Sequence, residues 1–375
     1  MVTLKKIIRK VRRVVIKIGT SVLLDDKGRL SPKALGGIAS GIAFIQKKGI
    51  RVILVTSGAI PLGMQHLRLS KRPHQIGELQ ACAAIGQPIL MGLYQKSLQR
   101  HRLHVAQVLL TRNDLEDRAR FLNAKHALTA LLHQGIMPII NENDTVVTEE
   151  IRFGDNDNLA ALVTNVIEAD LLVLLTDRDG FYTADPDHDP EAKIIPVVEN
   201  VDDDFFSYAS DTAKNISIGG MKTKLEAAHK AGQFGVPTVI ANGRDANTLK
   251  KIFLDESVGT LFLPRVDPLV ARKHWIAYTL KPQGRLVVDG GAVQALVTGK
   301  KSLLASGVLE VQGKFSQGDP VDLNDPSGKT IARGLISYNS EEVTQIKGKK
   351  TSEFEKVLGY KGPDELIHRD DLVLL

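Results

Sequence analysis

The sequence predicts an α/β fold, a mostly parallel sheet sandwiched by helices, followed by a small β-barrel-like domain. Three observations predict it. Short β-branched runs alternate with amphipathic helical stretches up to about residue 263. Those runs are apolar almost throughout, as strands buried on both faces of a parallel sheet must be. After Gly284 the texture changes to short β-rich runs punctuated by glycine, with only short helices between them. The length of 375 residues agrees, since about 100–200 residues make one domain.

The elements follow in order. Residues 1–13 hold Lys5, Lys6, Arg9, Lys10, Arg12 and Arg13 and no acid. The whole chain has 49 Lys and Arg against 43 Asp and Glu, a net of +6. That excess equals this one segment, so the net charge signals no basic groove elsewhere. No apolar core of about 7–15 residues follows the basic start, so it is not a secretory signal. It reads as a solvated extension, with a short basic amphipathic helix as the alternative through Leu4, Ile8 and Val11. Strands are expected at 14–18, 52–55, 105–110, 137–141, 171–176 and 238–241. Between them Ser31 and Pro32 open one helix as cap and first-turn residue. Others are expected at 78–99, interrupted at Pro88, and at 118–134, 159–168 and 221–231, the last ending at Gly232. Pro264, Pro268, Arg272 and Lys273 read as part of a linker over 264–283. It separates a domain at 14–263 from one at 284–375. In the latter, strands are expected at 285–288, 308–311, 320–323 and 331–338.

Composition removes several classes. Hydrophobic residues are 43% and charged residues 25%, which is ordinary globular usage and neither disordered nor collagenous. No apolar run approaches the roughly 18 residues of a spanning helix. The single cysteine, Cys82, excludes an intramolecular disulfide and a Cys-rich zinc site and suits a reducing cytosol. A P-loop, a G-x-G-x-x-G turn, a G-x-S-x-G elbow and an H-E-x-x-H pair are all missing.

Polar clusters stand where predicted strands end, the edge of a parallel sheet where ligands bind. Lys17-Ile18-Gly19-Thr20-Ser21 offers a cation and backbone N–H groups to a phosphate. Thr56-Ser57-Gly58-Ala59 is a small turn feeding a helix start, which suits an anion. Asn141-Glu142-Asn143-Asp144 and Gly154-Asp155-Asn156-Asp157-Asn158 gather carboxylates and amides that hold a ligand amine or orient lysines. Thr176-Asp177 closes another strand. Gly219-Gly220-Met221-Lys222-Thr223-Lys224 enters a helix, with glycines for close approach to phosphate and Lys224 on the first turn. Two lysines, two glycine turns and an acid cluster at one edge suggest phosphoryl transfer, where catalysis is positioning plus charge neutralisation.

These clusters, in this order, resemble the glutamate-phosphorylating branch of the amino acid kinase family. The resemblance runs from about residue 14 to the C-terminus, and the tail from Gly284 resembles a PUA domain. It implies that Lys17 and Lys224 grip the transferring phosphoryl group and that Asp157 organises them. Ser57, Asp144 and Asn156 would bind glutamate, with Asp155 adjacent. Lys17, Thr176, Asp177, Ile218, Gly219, Gly220, Met221, Lys222, Thr223 and Lys224 would line the ATP site. Ile218 stands where the family usually has threonine, which removes a hydroxyl beside the nucleotide. The resemblance also implies Mg²⁺ arriving with ATP and no protein metal site. It further implies feedback inhibition by proline, a separate glutamyl phosphate reductase, a homo-oligomer and a cytoplasmic location without membrane contact. The competing readings are a kinase for aspartate or N-acetylglutamate, and a chiefly RNA-binding protein. Residues 264–375 carry 16 Lys and Arg against 14 Asp and Glu, a net of +2 that leaves no strong footprint for RNA.

Overall fold

The computed structural model describes residues 4–25, 29–146, 156–199, 220–264, 273 and 281–375. The chain divides into two compact units, Met1–Val266 and Asp267–Leu375. Most of the expected linker lies outside the described residues.

The first unit is built on a sheet of strands β1 (Arg13–Ile18), β2 (Arg51–Val55), β3 (Val105–Leu110), β4 (Met137–Glu142), β5 (Leu171–Thr176), β6 (Val197–Val198), β7 (Thr238–Asn242) and β8 (Thr260–Phe262). Their order is β3-β4-β2-β1-β5-β7-β8-β6. Only the β7/β8 pair among them is antiparallel. β1 and β5 are buried at nearly every position, which is why both read as mainly apolar runs, with the buried Lys17 the exception on β1. The helices are α1 (Leu4–Ile8), α2 (Thr20–Leu23), α3 (Pro32–Lys47), α4 (Ala59–His66), α5 (Ile76–Gln99), α6 (Arg112–Glu116), α7 (Arg118–His133), α8 (Asn156–Val166), α9 (Met221–Gln233) and α10 (Thr248–Phe253). Ser31 caps α3 as expected, its hydroxyl accepting from the Ala34 N–H at 3.2 Å.

Four local expectations need correction. The N-terminal segment is not merely solvated: Leu4, Ile7 and Ile8 on α1 pack against the main core. Pro88 does not interrupt α5, which runs through it. The lost backbone bond is offset by burial of Leu79, Cys82, Ala83, Gly86, Leu90 and Tyr94 along the same helix. Helix α8 begins at Asn156 rather than Leu159. Helix α9 passes Gly232 to Gln233, and the left-handed glycine beyond it is Gly235, at φ 76°.

Helices α4 and α5 approach to backbone contact. A Cβ at Gly63 would collide with the Cys82 carbonyl, and one at Gly86 with the Ala59 carbonyl. This approach holds α5 close beside the segment that leads from β2 into α4.

The second unit has strands β9 (Gly284–Val288), β10 (Val308–Gly313), β11 (Pro320–Asn324), β12 (Thr330–Leu335) and β13 (Leu372–Leu374), in the order β10-β9-β11-β12-β13. The β9/β11 pair is parallel and the others are antiparallel. It has its own core, including Leu286, Leu323, Ile336 and Tyr338. Among the described residues, no helix is long and apolar enough to cross a membrane.

Candidate active site

Register brings the carboxyl ends of five strands together. Lys17 on β1 stands opposite Val55 on β2 and Leu174 on β5. Val55 pairs with Ile140, and Thr176 with Asn242. Every cluster singled out on β1, β2, β4 and β5 therefore opens on one edge.

Asp157 is the hub of that edge. It sits in the first turn of α8, where a carboxylate suits the helix dipole. Lys17 Nζ lies 2.6 Å from its Oδ1 and Lys224 Nζ 3.2 Å from its Oδ2. The Thr223 hydroxyl donates to Oδ2 at 2.8 Å. All three charged side chains are at least nine-tenths buried. Burial alone would raise the Asp157 carboxyl. The adjacent Lys17 and Lys224 charges, with hydrogen bonds from Lys17 and Thr223, overcome it and hold the group well below the usual carboxylate range. Lys224 also donates to the Gly220 carbonyl at 2.8 Å. Two lysines on one carboxylate leave a net positive charge in a dry place, which calls for an anion.

A second group sits at the ends of β2 and β4. Gly58 adopts φ 105°, a left-handed turn that glycine takes without strain, and it caps α4. Ser57 is half-buried in that turn. The Asn156 amide donates to Ser57 Oγ at 3.0 Å and to Asn141 Oδ1 at 3.2 Å. Both of its amide hydrogens are then used. Asn156 Oδ1 and Asn141 Nδ2 remain buried with no hydrogen-bond partner among the described residues. An orphaned acceptor and an orphaned donor side by side are the features of a site built for a polar ligand. Asp144 is half-buried, and burial pushes its carboxyl up to about 6 despite the opposing charge of Arg72.

The other side of the hub is formed by β5 and β7. Thr176 is buried and donates to Asp177 Oδ1 at 3.1 Å. Partial burial opposes ionisation of Asp177, yet backbone and Thr176 hydrogen bonds and the Arg244 charge hold its carboxyl low. Asn242 donates to Asp179 at 2.8 Å. The structure therefore gathers Lys17, Asp157, Thr223 and Lys224 into one cluster and Ser57, Asn156 and Asn141 into another. It does not bring Lys222 to either: that side chain is exposed and lies 3.9 Å from Glu226. Gly220 and Met221 stand at the start of α9. Asp155, Ile218 and Gly219 lie outside the described residues.

A family model described as the amino acid kinase family matches residues 12–242, and one for the PUA domain matches residues 284–358. The chain belongs to the amino acid kinase family. Its relatives within that family align over nearly its full length. The glutamate 5-kinase of Geobacter sulfurreducens is 50% identical over 369 residues, which is 98% of this chain and 99% of that protein. The glutamate 5-kinase of Nitrosospira multiformis is 48% identical over 372 residues, 99% of this chain and 100% of the relative. That of Caldanaerobacter subterraneus is 48% identical over 363 residues, 97% and 98% of the two chains. In this amino acid kinase, the side chains that sequence reasoning missed are Tyr94 and Gln87 on α5. The available signal was polarity: both sit, with Ser97, on the mainly apolar buried face of that helix.

Proposed function

We propose that this chain transfers the γ-phosphoryl group of ATP to the side-chain carboxylate of L-glutamate, giving L-glutamyl 5-phosphate, the first step of proline biosynthesis. The observation that carries the reading is the pairing of Lys17 and Lys224 on one buried aspartate at the sheet edge. The family and the glutamate 5-kinases aligned along the whole chain support it. The acceptor needs no general base, because a glutamate side chain titrates near 4.3 and is ionised at neutral pH. The task is to bring two anions together. Lys17 and Lys224 spread the charge of the γ-phosphoryl oxygens, and Asp157 keeps both ammonium groups aligned. Ser57, Asp144 and Asn156 hold glutamate, with the Asp144 carboxylate against its α-ammonium. Thr176, Asp177 and residues 218–224 form the nucleotide side, with Lys222 at its solvent margin.

The donor set fits a Mg²⁺ that travels on the ATP phosphates. Both Asp157 oxygens are engaged by lysines and Thr223, so the hub carboxylate is committed to cations of the protein. When bound, the ion would add positive charge to the ATP phosphates. The kinase chemistry then belongs to residues 14–263, with the PUA-like domain at 284–375 outside it. Proline feedback, a separate NADPH-dependent reductase, a homo-oligomeric state and a cytoplasmic location complete the reading by resemblance.

Product analysis tests it. With glutamate, Mg·ATP and hydroxylamine, the chain should form γ-glutamyl hydroxamate far faster than the products from aspartate or N-acetylglutamate. Without a trap, the α-amine of the acyl phosphate closes a five-membered ring, an intramolecular attack favoured by proximity. The ring closure releases inorganic phosphate, so ADP, inorganic phosphate and 5-oxoproline should then accumulate. Equal rates with aspartate would overturn the substrate. Glutamate semialdehyde formed from this chain and NADPH alone would overturn the need for a second enzyme.

Two predictions concern the glutamate side. Ser57→Ala and Asn156→Ala should each raise KM for glutamate about five- to thirtyfold, the cost of losing one or two hydrogen bonds to a charged ligand. KM for ATP should stay within twofold in both, as steady-state kinetics will show. The second prediction uses pH. Below about pH 6 the Asp144 carboxyl of the free enzyme is protonated and no longer counters an ammonium. The kcat/KM for glutamate should fall as pH drops through that value, approaching tenfold per unit. Asp144→Asn should be weak at every pH and lack this limb of the profile. A limb that survives in Asp144→Asn would assign the titration to another group.

A further inference from the structure

Helix α5 carries Gln87, Tyr94 and Ser97 as polar side chains on a mainly apolar buried face; Ser97 turns to the Leu35 carbonyl, and the other two face the sheet edge. Gln87 is 6% exposed and Tyr94 is fully buried. They are seven residues apart, which is two turns, so they share one stripe of the helix. Each reaches a different part of the glutamate side.

The Tyr94 hydroxyl lies 2.8 Å from Thr56 Oγ1. Thr56 Oγ1 donates in turn to the Ser57 carbonyl at 3.2 Å. A hydroxyl has a single proton. When that proton serves the Ser57 carbonyl the phenol donates to Thr56; either oxygen can be the donor of the 2.8 Å bond. Burial raises the phenol far above its ordinary range, so it keeps its own proton at any working pH. The chain of contacts ends on the backbone of the residue that Asn156 touches through Ser57 Oγ. Gln87 makes the parallel contact at longer range. Its amide donates to the Glu142 carbonyl at 3.4 Å, and its own carbonyl accepts from Gln107 at 3.4 Å. Glu142 follows Asn141, and its N–H donates to Asn141 Oδ1 at 2.9 Å. Neither side chain is needed for filling space. A phenylalanine and a methionine would occupy the same volumes without a buried polar group to satisfy.

We infer that α5 is a brace for the glutamate half of the site, with Tyr94 fixing the Thr56–Ser57 turn and Gln87 propping the end of β4. Both are positioning residues and act through backbone groups of the substrate-binding turns. Backbone contact at Gly63 and Gly86 sets α5 at the distance this requires. The inference rests on the reading of Ser57 and Asn156 as glutamate-binding residues.

Steady-state kinetics on the full chain, with glutamate and ATP varied separately, tests it. Tyr94→Phe removes one oxygen and should raise KM for glutamate about fivefold, the value of one hydrogen bond. The kcat at saturating glutamate and KM for ATP should stay within twofold. Thr56→Val should behave alike, and the double variant should be no worse than either single one, because the two hydroxyls act as one unit. Thr56→Ser keeps the hydroxyl and should return near the parent value, which separates the bond from packing. Gln87→Met should shift KM for glutamate in the same direction by a smaller factor. A Tyr94→Phe variant with a lower melting temperature and an unchanged KM for glutamate would overturn the brace and leave only a structural bond. A rise in KM for ATP with glutamate unaffected would be a different failure, overturning the assignment of the glutamate half itself.

Discussion

Lys224→Ala should lower kcat by a hundredfold or more while moving KM for glutamate little. Lys224 reaches the hub from the first turn of α9, 3.2 Å from Asp157 and 2.8 Å from the Gly220 carbonyl. Its ammonium is thus fixed before substrate arrives and needs no reorganisation when charge develops on the phosphoryl group. Groups used in this way typically contribute on the order of a hundred- to a thousandfold in kcat. Lys224→Arg should recover little. The side chain is only 9% exposed, and a planar five-donor fork does not occupy the space of a compact ammonium. Rapid-quench kinetics at saturating substrates will separate the chemical step from product release. An Ala variant within tenfold of the parent would remove Lys224 from the mechanism. The glutamate-side changes should show the opposite split, with KM for glutamate moving and kcat holding.

Much of this architecture is legible in the sequence, for a physical reason that also marks where legibility stops. The strands at β1, β4 and β5 are buried on both sides, so burial forces mainly apolar runs that announce themselves. Strands β6 and β8, of two and three residues, are too short to establish any period. Asn156, Asp157 and Asn158 resemble helix caps, yet they lie inside α8. The polarity of Asn156 answers to Ser57 and Asn141, and that of Asp157 to Lys17 and Lys224, across the sheet edge. Lys222 and Lys224 look equivalent in the sequence. On a helix, residues two apart point about 200° from one another, so only one of them can face Asp157. The clusters themselves are readable as residue types at strand ends. Their joining across 140 residues between Lys17 and Asp157 is carried by β1 pairing with β5, which no local spacing encodes. Tyr94 and Gln87 were missed because an apolar helix draws attention to its hydrophobic face and not to the exceptions on it.

Asp157→Ala should be the most damaging single change in the kinase unit, for stability as well as activity. It would leave Lys17 and Lys224 buried beside each other without the carboxylate they share, and Thr223 with one acceptor fewer. Removing one partner from a buried ion pair costs about 3–5 kcal/mol, a large share of the stability of an ordinary domain. Urea unfolding at neutral pH will measure it. The sign of the pH dependence follows from the depressed carboxyl. In the parent protein the stabilisation from Asp157 is complete above the unfolded-state value of 3.8. It is lost as pH falls from there toward the lower folded-state value. Asp157→Asn removes that ionisation, so its stability should fall less steeply than the parent's below about pH 4. The vacancy should also change what binds. Two lysines freed of their carboxylate favour another anion in its place, so inorganic phosphate should raise the melting temperature of Asp157→Ala more than that of the parent. It should not restore turnover, because a mobile ion does not hold two ammonium groups in register with a phosphoryl group. A stable Asp157→Ala protein with kcat within tenfold of the parent would show that the lysines align without it, and the hub would then be a packing feature of the sheet edge.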